Sequence, residues 1–130
     1  MEKISVRTSR QIEFVDITSR IQAVVSGSDM KNGICVVFVP HTTAGITINE
    51  NADPSVRSDI CKQLNKIVPL NDNYAHREGN SAAHIKASLL GFSATVFVES
   101  GTLQLGTWQG IYFAEFDGPR TRSVWVKIIG

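Results

Sequence analysis

Ile34-Cys-Val-Val-Phe-Val39, closed by Pro40 and followed by His41-Thr-Thr-Ala and Gly45-Ile-Thr-Ile-Asn-Glu50, is the stretch whose reading decides the fold. The first run is rich in β-branched residues and apolar throughout, the pattern of a central strand covered on both faces. Pro40 has no N–H with which to continue a ladder. In the second run Ile46 and Ile48 point one way, while Thr47 and Asn49 point the other. A buried strand therefore carries a histidine to a turn, and the strand that follows keeps a polar face.

Working outward, Ile4–Thr8 and Ile12–Asp16 alternate around Ser9-Arg-Gln and predict an opening pair of strands. Ser19 and Gln22 have capping-box spacing, and Ile21, Val24 and Val25 then share a face until Gly27, which predicts a short helix. Beyond the central strands, Asp53-Pro54 is a helix start, an N-cap followed by a residue preset for the first turn. Val56, Ile60, Leu64 and Ile67 form its apolar stripe. Pro69 to Gly79 is polar and aperiodic, a loop that contains His76. A second short helix, capped by Asn80 or Ser81, runs through Ala82–Leu90 to Gly91. Ala94–Glu99, Gln104–Trp108, Gly110–Phe116 and Ser123–Ile129 are predicted strands separated by turn residues. Strands mixed with two or three helices make an α+β domain.

The 130 residues suit one domain, residues 1–130, around one core. Thirteen basic against twelve acidic side chains leave a formal charge of +1, which provides no basic field for nucleic acid or an anionic membrane. No apolar run approaches the ~20 residues of a membrane helix, and the N-terminus lacks an apolar signal core. A cytoplasmic address is the expectation. Cys35 and Cys61 form no CxxC and suit buried thiols rather than a disulfide framework.

The three histidines are the first candidates for chemistry. His41 follows a buried strand, His76 lies in the polar loop, and His84 sits on the short helix among small residues. Three imidazoles from three elements match an open catalytic zinc site. The spacing is not itself a motif, and three unrelated surface or capping histidines are the competing reading. Glu50 suits a general base or a carboxylate partner to an imidazole N–H, against an ordinary solvated charge. Asp53 suits the same roles or a helix cap. Thr42, Thr43 and Gly45 form a turn that could offer backbone N–H groups to an anion, although no phosphate-loop spacing is present. Gly106 and Gly110 bracket Trp108 and Gln109, which places an indole and an amide at a pocket or simply makes a bulge. Arg120, in Asp117-Gly-Pro-Arg, is a candidate for phosphate or carboxylate, and Arg122 is a lesser one.

Together, His41-Thr-Thr-Ala-Gly-Ile, Asn49-Glu-Asn-Ala-Asp-Pro, His76-Arg-Glu-Gly-Asn, Ala83-His-Ile-Lys-Ala-Ser, Leu105-Gly-Thr-Trp-Gln-Gly-Ile and Asp117-Gly-Pro-Arg-Thr-Arg resemble the YjbQ-like family, also called secondary thiamine-phosphate synthase. The resemblance spans essentially the whole chain. It implies a compact domain of packed mixed or antiparallel sheets, a homotrimer, and a polar pocket that often holds a metal ion. The corresponding metal ligands are His41, His76 and His84, with zinc the expected ion. Glu50, Asn51, Asp53, Trp108, Gln109 and Arg120 also match. The activity implied joins hydroxymethylpyrimidine diphosphate to thiazole phosphate, with Trp108 stacking on the pyrimidine, Glu50 handling a proton, and the metal and Arg120 stabilising the leaving diphosphate. The expected partner is thus a small phosphorylated or heteroaromatic metabolite. The alternative is a non-catalytic module that binds a metabolite or metal in the same pocket.

Overall fold

In a computed structural model describing residues 1–130, the chain forms β1 (Glu2–Arg7), β2 (Glu13–Asp16), α1 (Thr18–Ser26), β3 (Gly33–Phe38), β4 (Ala44–Glu50), α2 (Pro54–Ile67), α3 (Ser81–Leu90), β5 (Ser93–Glu99), β6 (Thr102–Leu103), β7 (Gln109–Glu115) and β8 (Thr121–Ile129). Every ladder is antiparallel. Strands in the order β1-β8-β3-β5-β6 build a five-stranded sheet, and β2-β7-β4 build a three-stranded one. The α+β expectation holds, with three helices. No helix is long and apolar enough to cross a membrane.

Alternation along the strands creates the layers. Val6, Cys35, Val37, Val96, Val98, Val124 and Val126 project from the large sheet onto Ala44, Ile46, Ile111 and Phe113 of the small one, and all are buried in one core. Ile17, Ile21 and Val25, just before and along α1, complete it. On the other side of the small sheet, Phe14, Tyr112, Ala114 and Phe116 pack with Ala83 and Ala87 of α3 and with Ile60, Cys61 and Leu64 of α2. Gly45 makes this docking possible. A Cβ there would lie 2.7 Å from the carbonyl of Gly91, the same carbonyl that accepts from the Ile46 N–H at 3.0 Å.

Three local expectations need correction. The strand covered on both faces is β7, buried from Gly110 through Glu115, and not Ile34–Val39. In β3 only Cys35 and Val37 are buried, and Phe38 is exposed. The outer face of the large sheet carries Phe38, Phe97, Trp125 and Ile129 with no element of this chain above it. An apolar run shows that both faces are apolar, not that both are covered. The Ser19–Gln22 capping box does not form. Instead Asp16 Oδ1 accepts from the Thr18 N–H and hydroxyl, and Gln22 crosses to Gly101 and Leu103. Gln104–Trp108 is not a strand either. The Gly106 N–H donates to Gln109 Oε1 at 2.8 Å and the Gln109 N–H to the Gly106 carbonyl at 3.0 Å, a closed turn that satisfies these groups locally. The Asp53 cap forms as expected, with Oδ1 accepting from the Ser55 N–H at 2.9 Å.

Candidate functional site

The turn between β3 and β4, the loop before α3, the start of α3 and the turn between β7 and β8 enclose a depression of about 510 Å³ with no hydrophobic side chain in its lining. His41, His76 and His84 all line it, as do Thr42, Thr43 and Arg120. Sequence spacing alone did not join these segments. The sheets do, because β4 and β8 begin at this end of the molecule and α3 docks on β4.

His41 is fixed by a single contact. Its Nε2 accepts from the Ser123 N–H at 2.9 Å, which in the neutral ring leaves the proton on Nδ1. Burial, and then the Arg122 guanidinium, lower its pKa from the usual imidazole value against the opposing pull of Glu115. The neutral ring is therefore favoured near pH 7. In this arrangement His41 is a hydrogen-bond donor, where the resemblance implies a metal ligand. His76 and His84 face each other edge-on with ring centroids 5.5 Å apart, and Glu78 Oε2 lies 3.9 Å from His76 Nε2. No three His, Cys, Asp or Glu side chains gather into a group that could hold a metal ion. The donors that suit a divalent cation are the two imidazoles His76 and His84.

Beneath the histidines lies a buried ion pair. Arg122 is 4% exposed and Glu115 fully buried. Arg122 Nε donates to Glu115 Oε1 at 2.8 Å and its Nη2 to Oε2, and the same Nη2 reaches the Thr43 hydroxyl at 2.8 Å. Thr8 and the Asp117 N–H add further bonds to the carboxylate at 2.8 and 3.0 Å. Burial pushes the Glu115 pKa up, but the bonds from Arg122, Asp117 and Thr8 outweigh it and hold the carboxyl below its usual range. At the rim, Arg120 donates from Nε to the Asp117 carbonyl at 3.0 Å and lies 3.3 Å from its carboxylate. Asn80 Nδ2 donates to that carboxylate at 2.9 Å, while Asn80 Oδ1 is enclosed with no partner.

Motif and spacing do not mark Glu115, Asn80 and Asp117 as site residues, and they favour Arg120 over Arg122. A signal was present. In Ile111-Tyr-Phe-Ala-Glu115 and Arg122-Ser-Val-Trp-Val126 the period of two puts each charge on an apolar face of its strand, and opposite charges buried in one core must pair.

The second group of expected residues lies elsewhere. Glu50 is at the far end of β4, where its carbonyl accepts from the Tyr112 hydroxyl. Asn51 follows it, bonded to the Trp108 carbonyl through its N–H and to Asp16 through its amide. Trp108 is 62% exposed, Gln109 closes its own turn, and Asp53 caps α2. Six steps along β4 at about 3.4 Å each separate the two groups by about 20 Å. Within one chain, Glu50, Asn51, Asp53, Trp108 and Gln109 do not meet the histidines.

Residues 2–130 match the family model described as "UPF0047 protein YjbQ-like". The chain is 58% identical over 128 residues to UPF0047 protein MJ1081 of Methanocaldococcus jannaschii, covering 98% of this chain and 93% of the relative. It is 46% identical to UPF0047 protein YugU of Bacillus subtilis, over 100% of this chain and 99% of that one. A crystal structure of a YjbQ/UPF0047 protein from Clostridium acetobutylicum superposes with a TM-score of 0.97 at 56% identity, covering 99% and 100% of the two chains. A YbjQ-like protein of unknown function from Sulfolobus solfataricus gives 0.95 at 39% identity, covering 99% and 95%.

Proposed function

This chain belongs to the YjbQ-like family, UPF0047, and from that premise we propose that its working site is the histidine pocket at the start of β4, a metal-assisted site for a small phosphorylated or heteroaromatic metabolite. The observation that supports this is the meeting of three imidazoles and Arg120, brought from four separate segments, in one depression without an apolar lining. A divalent cation, with zinc suited to imidazole, would be held by His76 and His84 and would supply charge neutralisation at a phosphoryl oxygen. His41, the third ligand that the resemblance implies, holds its proton at Nδ1 and offers it to the bound molecule. Arg120 has N–H groups beyond those spent on Asp117 and can orient an anionic group at the rim.

The transferase activity implied by the resemblance fits this wall of donors, since a leaving diphosphate needs N–H groups and cations around its developing charge. Its proton-handling role does not fall to Glu50, which lies at the other end of β4 in the same chain. Glu115 and Asp117 are already bonded, which leaves Glu78 and the imidazoles. That scarcity of a free carboxylate is what favours the second reading, a module that binds the same metabolite without converting it.

Metal content separates these readings first. Protein purified without a histidine tag should carry close to one divalent ion per chain, and His76→Ala and His84→Ala should lose it. Equal metal in both variants would sink the site. Pyrophosphate release from hydroxymethylpyrimidine diphosphate and thiazole phosphate, abolished in His84→Ala, would then distinguish the enzyme from the binding module.

The homotrimer stands as a proposal supported by the uncovered face of the large sheet. Phe38 and Trp125 lie 5.7 Å apart there, with Phe97 68% exposed. Sedimentation should show a trimer that Phe97→Glu dissociates, and a monomeric wild type would overturn it.

A further inference from the structure

Arg122 is too well buried and too incompletely bonded to serve only as the partner of Glu115. It donates through Nε and Nη2 alone, to Glu115 and Thr43. Its Nη1 has no protein acceptor. Nor is Nη1 sealed away, because the one enclosed side-chain atom without a partner is Asn80 Oδ1. Arg122 lines the histidine pocket, and Nη1 is the one nitrogen of its guanidinium left free to bond there.

Two further observations point to the same occupant. The N–H groups of His41, Thr42 and Thr43 donate to no backbone acceptor, and no side chain takes them. His41, with Nε2 committed to Ser123, has only its Nδ1–H left for the pocket. One short turn and one guanidinium therefore supply a set of unsatisfied N–H donors with no matching acceptors among them. Donors without a protein partner are left to solvent or to a ligand that accepts from them. The pair with Glu115 holds the guanidinium in a fixed plane, so no side-chain freedom is lost when an anion binds.

We infer that Arg122 Nη1, His41 Nδ1 and the N–H groups of the His41–Thr43 turn form an oxyanion subsite for a phosphate monoester, the phosphoryl end of the metabolite. The donors outnumber what the two oxygens of a carboxylate can engage in one plane, whereas the three terminal oxygens of a phosphoryl group point in three directions. This inference deepens the proposed function and rests on its choice of pocket. It does not rest on the metal.

Inorganic phosphate is the probe, titrated calorimetrically into chelator-treated, metal-free protein, with acetate and sulfate as parallel arms. Wild type should bind phosphate in preference to acetate. Arg122→Lys keeps a cation for Glu115 and loses the forked donor, and should weaken phosphate binding about 10-fold or more. Lys62→Ala, a charge removed from the exposed face of α2, should change nothing. If Arg122→Lys does not fold, amide spectra of the wild type decide the matter. Phosphate should shift the Thr42, Thr43 and Arg122 Nε signals, and unchanged signals would refute the subsite. Equal binding of acetate and phosphate, or undiminished binding by Arg122→Lys, would also refute it. Loss of metal binding in His76→Ala with phosphate binding intact would keep the subsite and remove the metal. Metal binding without phosphate binding would do the reverse.

Discussion

At its first residue β4 starts beside Thr43, whose hydroxyl meets a buried arginine, and at its last it runs out into Asn51 and the exposed Trp108 turn. Both ends carry polar residues of the same motif-rich kind. They are held by different physics. At the histidine end one ion pair, Glu115 with Arg122, is buried and tied by further bonds to Thr8, Thr43 and Asp117, so its geometry is expensive to change. At the tryptophan end the bonds, such as Gln109 to Gly106 and Asn51 to Asp16, lie largely at the surface, and no charged side chain is buried there. A motif is equally visible in sequence whether its residues stand on a rigid platform or on a turn. A binding site needs the former.

The largest effect should come from removing the carboxylate of the buried pair. Glu115→Gln leaves Arg122 with an uncompensated charge in a pocket floor, and should cost about 3–5 kcal/mol in urea unfolding. Asp16→Asn at the other end, exposed and bonded to Asn51 at 3.3 Å, should cost well under about 1 kcal/mol. Comparable losses would mean that the two ends are equally built.

Next in size is Gly45→Ala. The added methyl would stand 2.7 Å from the Gly91 carbonyl, and backbone cannot swing aside as a side chain can. An expected loss of about 1–3 kcal/mol should come with broadened amide signals in α3, because the helix that carries His84 must move off β4. An unperturbed α3 would show that the pocket does not depend on this close approach.

Acid should discriminate between the ends as well. Glu115 has a folded-state pKa below its unfolded value of about 4.5, so its ionised form stabilises the native state. That contribution is present above the unfolded value and is lost as pH falls through the folded one. Wild-type stability should drop below about pH 4.5, and Glu115→Gln should lack that part of the slope. Asp53 also has a lowered pKa, from bonds with Ser55, but it is fully exposed. Asp53→Ala should leave most of the acid slope in place and shorten α2 by circular dichroism.

These differences also explain what the sequence made legible. Strand order could not be deduced, but the turn at His41, the Asp53 cap and the α+β class follow from local chemistry, since proline, N-cap residues and period-two alternation act within a few residues. The joining of His41, His76 and His84 in one depression required β8 to supply Ser123 and α3 to dock through Gly45. Both are long-range facts. The double coverage of β7 was hidden for a related reason. Tyr112, Ala114 and Phe116 show an apolar second face, but only the arrival of α2 and α3 says that this face is covered while the one bearing Phe38 and Phe97 is not.

The smallest effect belongs to Trp108→Ala. An indole 62% exposed on a turn buries little, so its removal should change stability by no more than about 0.5 kcal/mol. In a single chain it is also about 20 Å from His41, too far to touch a small metabolite in the histidine pocket. Phosphate affinity should therefore be unchanged. If turnover or affinity for the whole metabolite nevertheless falls while phosphate binding stays, the indole must reach the pocket from another copy of the chain. Mixing inactive Trp108→Ala with inactive His84→Ala protein should then restore activity, because some pockets would combine an intact histidine set from one copy with an intact indole from the other. No restoration, with each variant assembled as wild type, would confine the working site to the histidine end and leave the tryptophan turn a structural closure of β7.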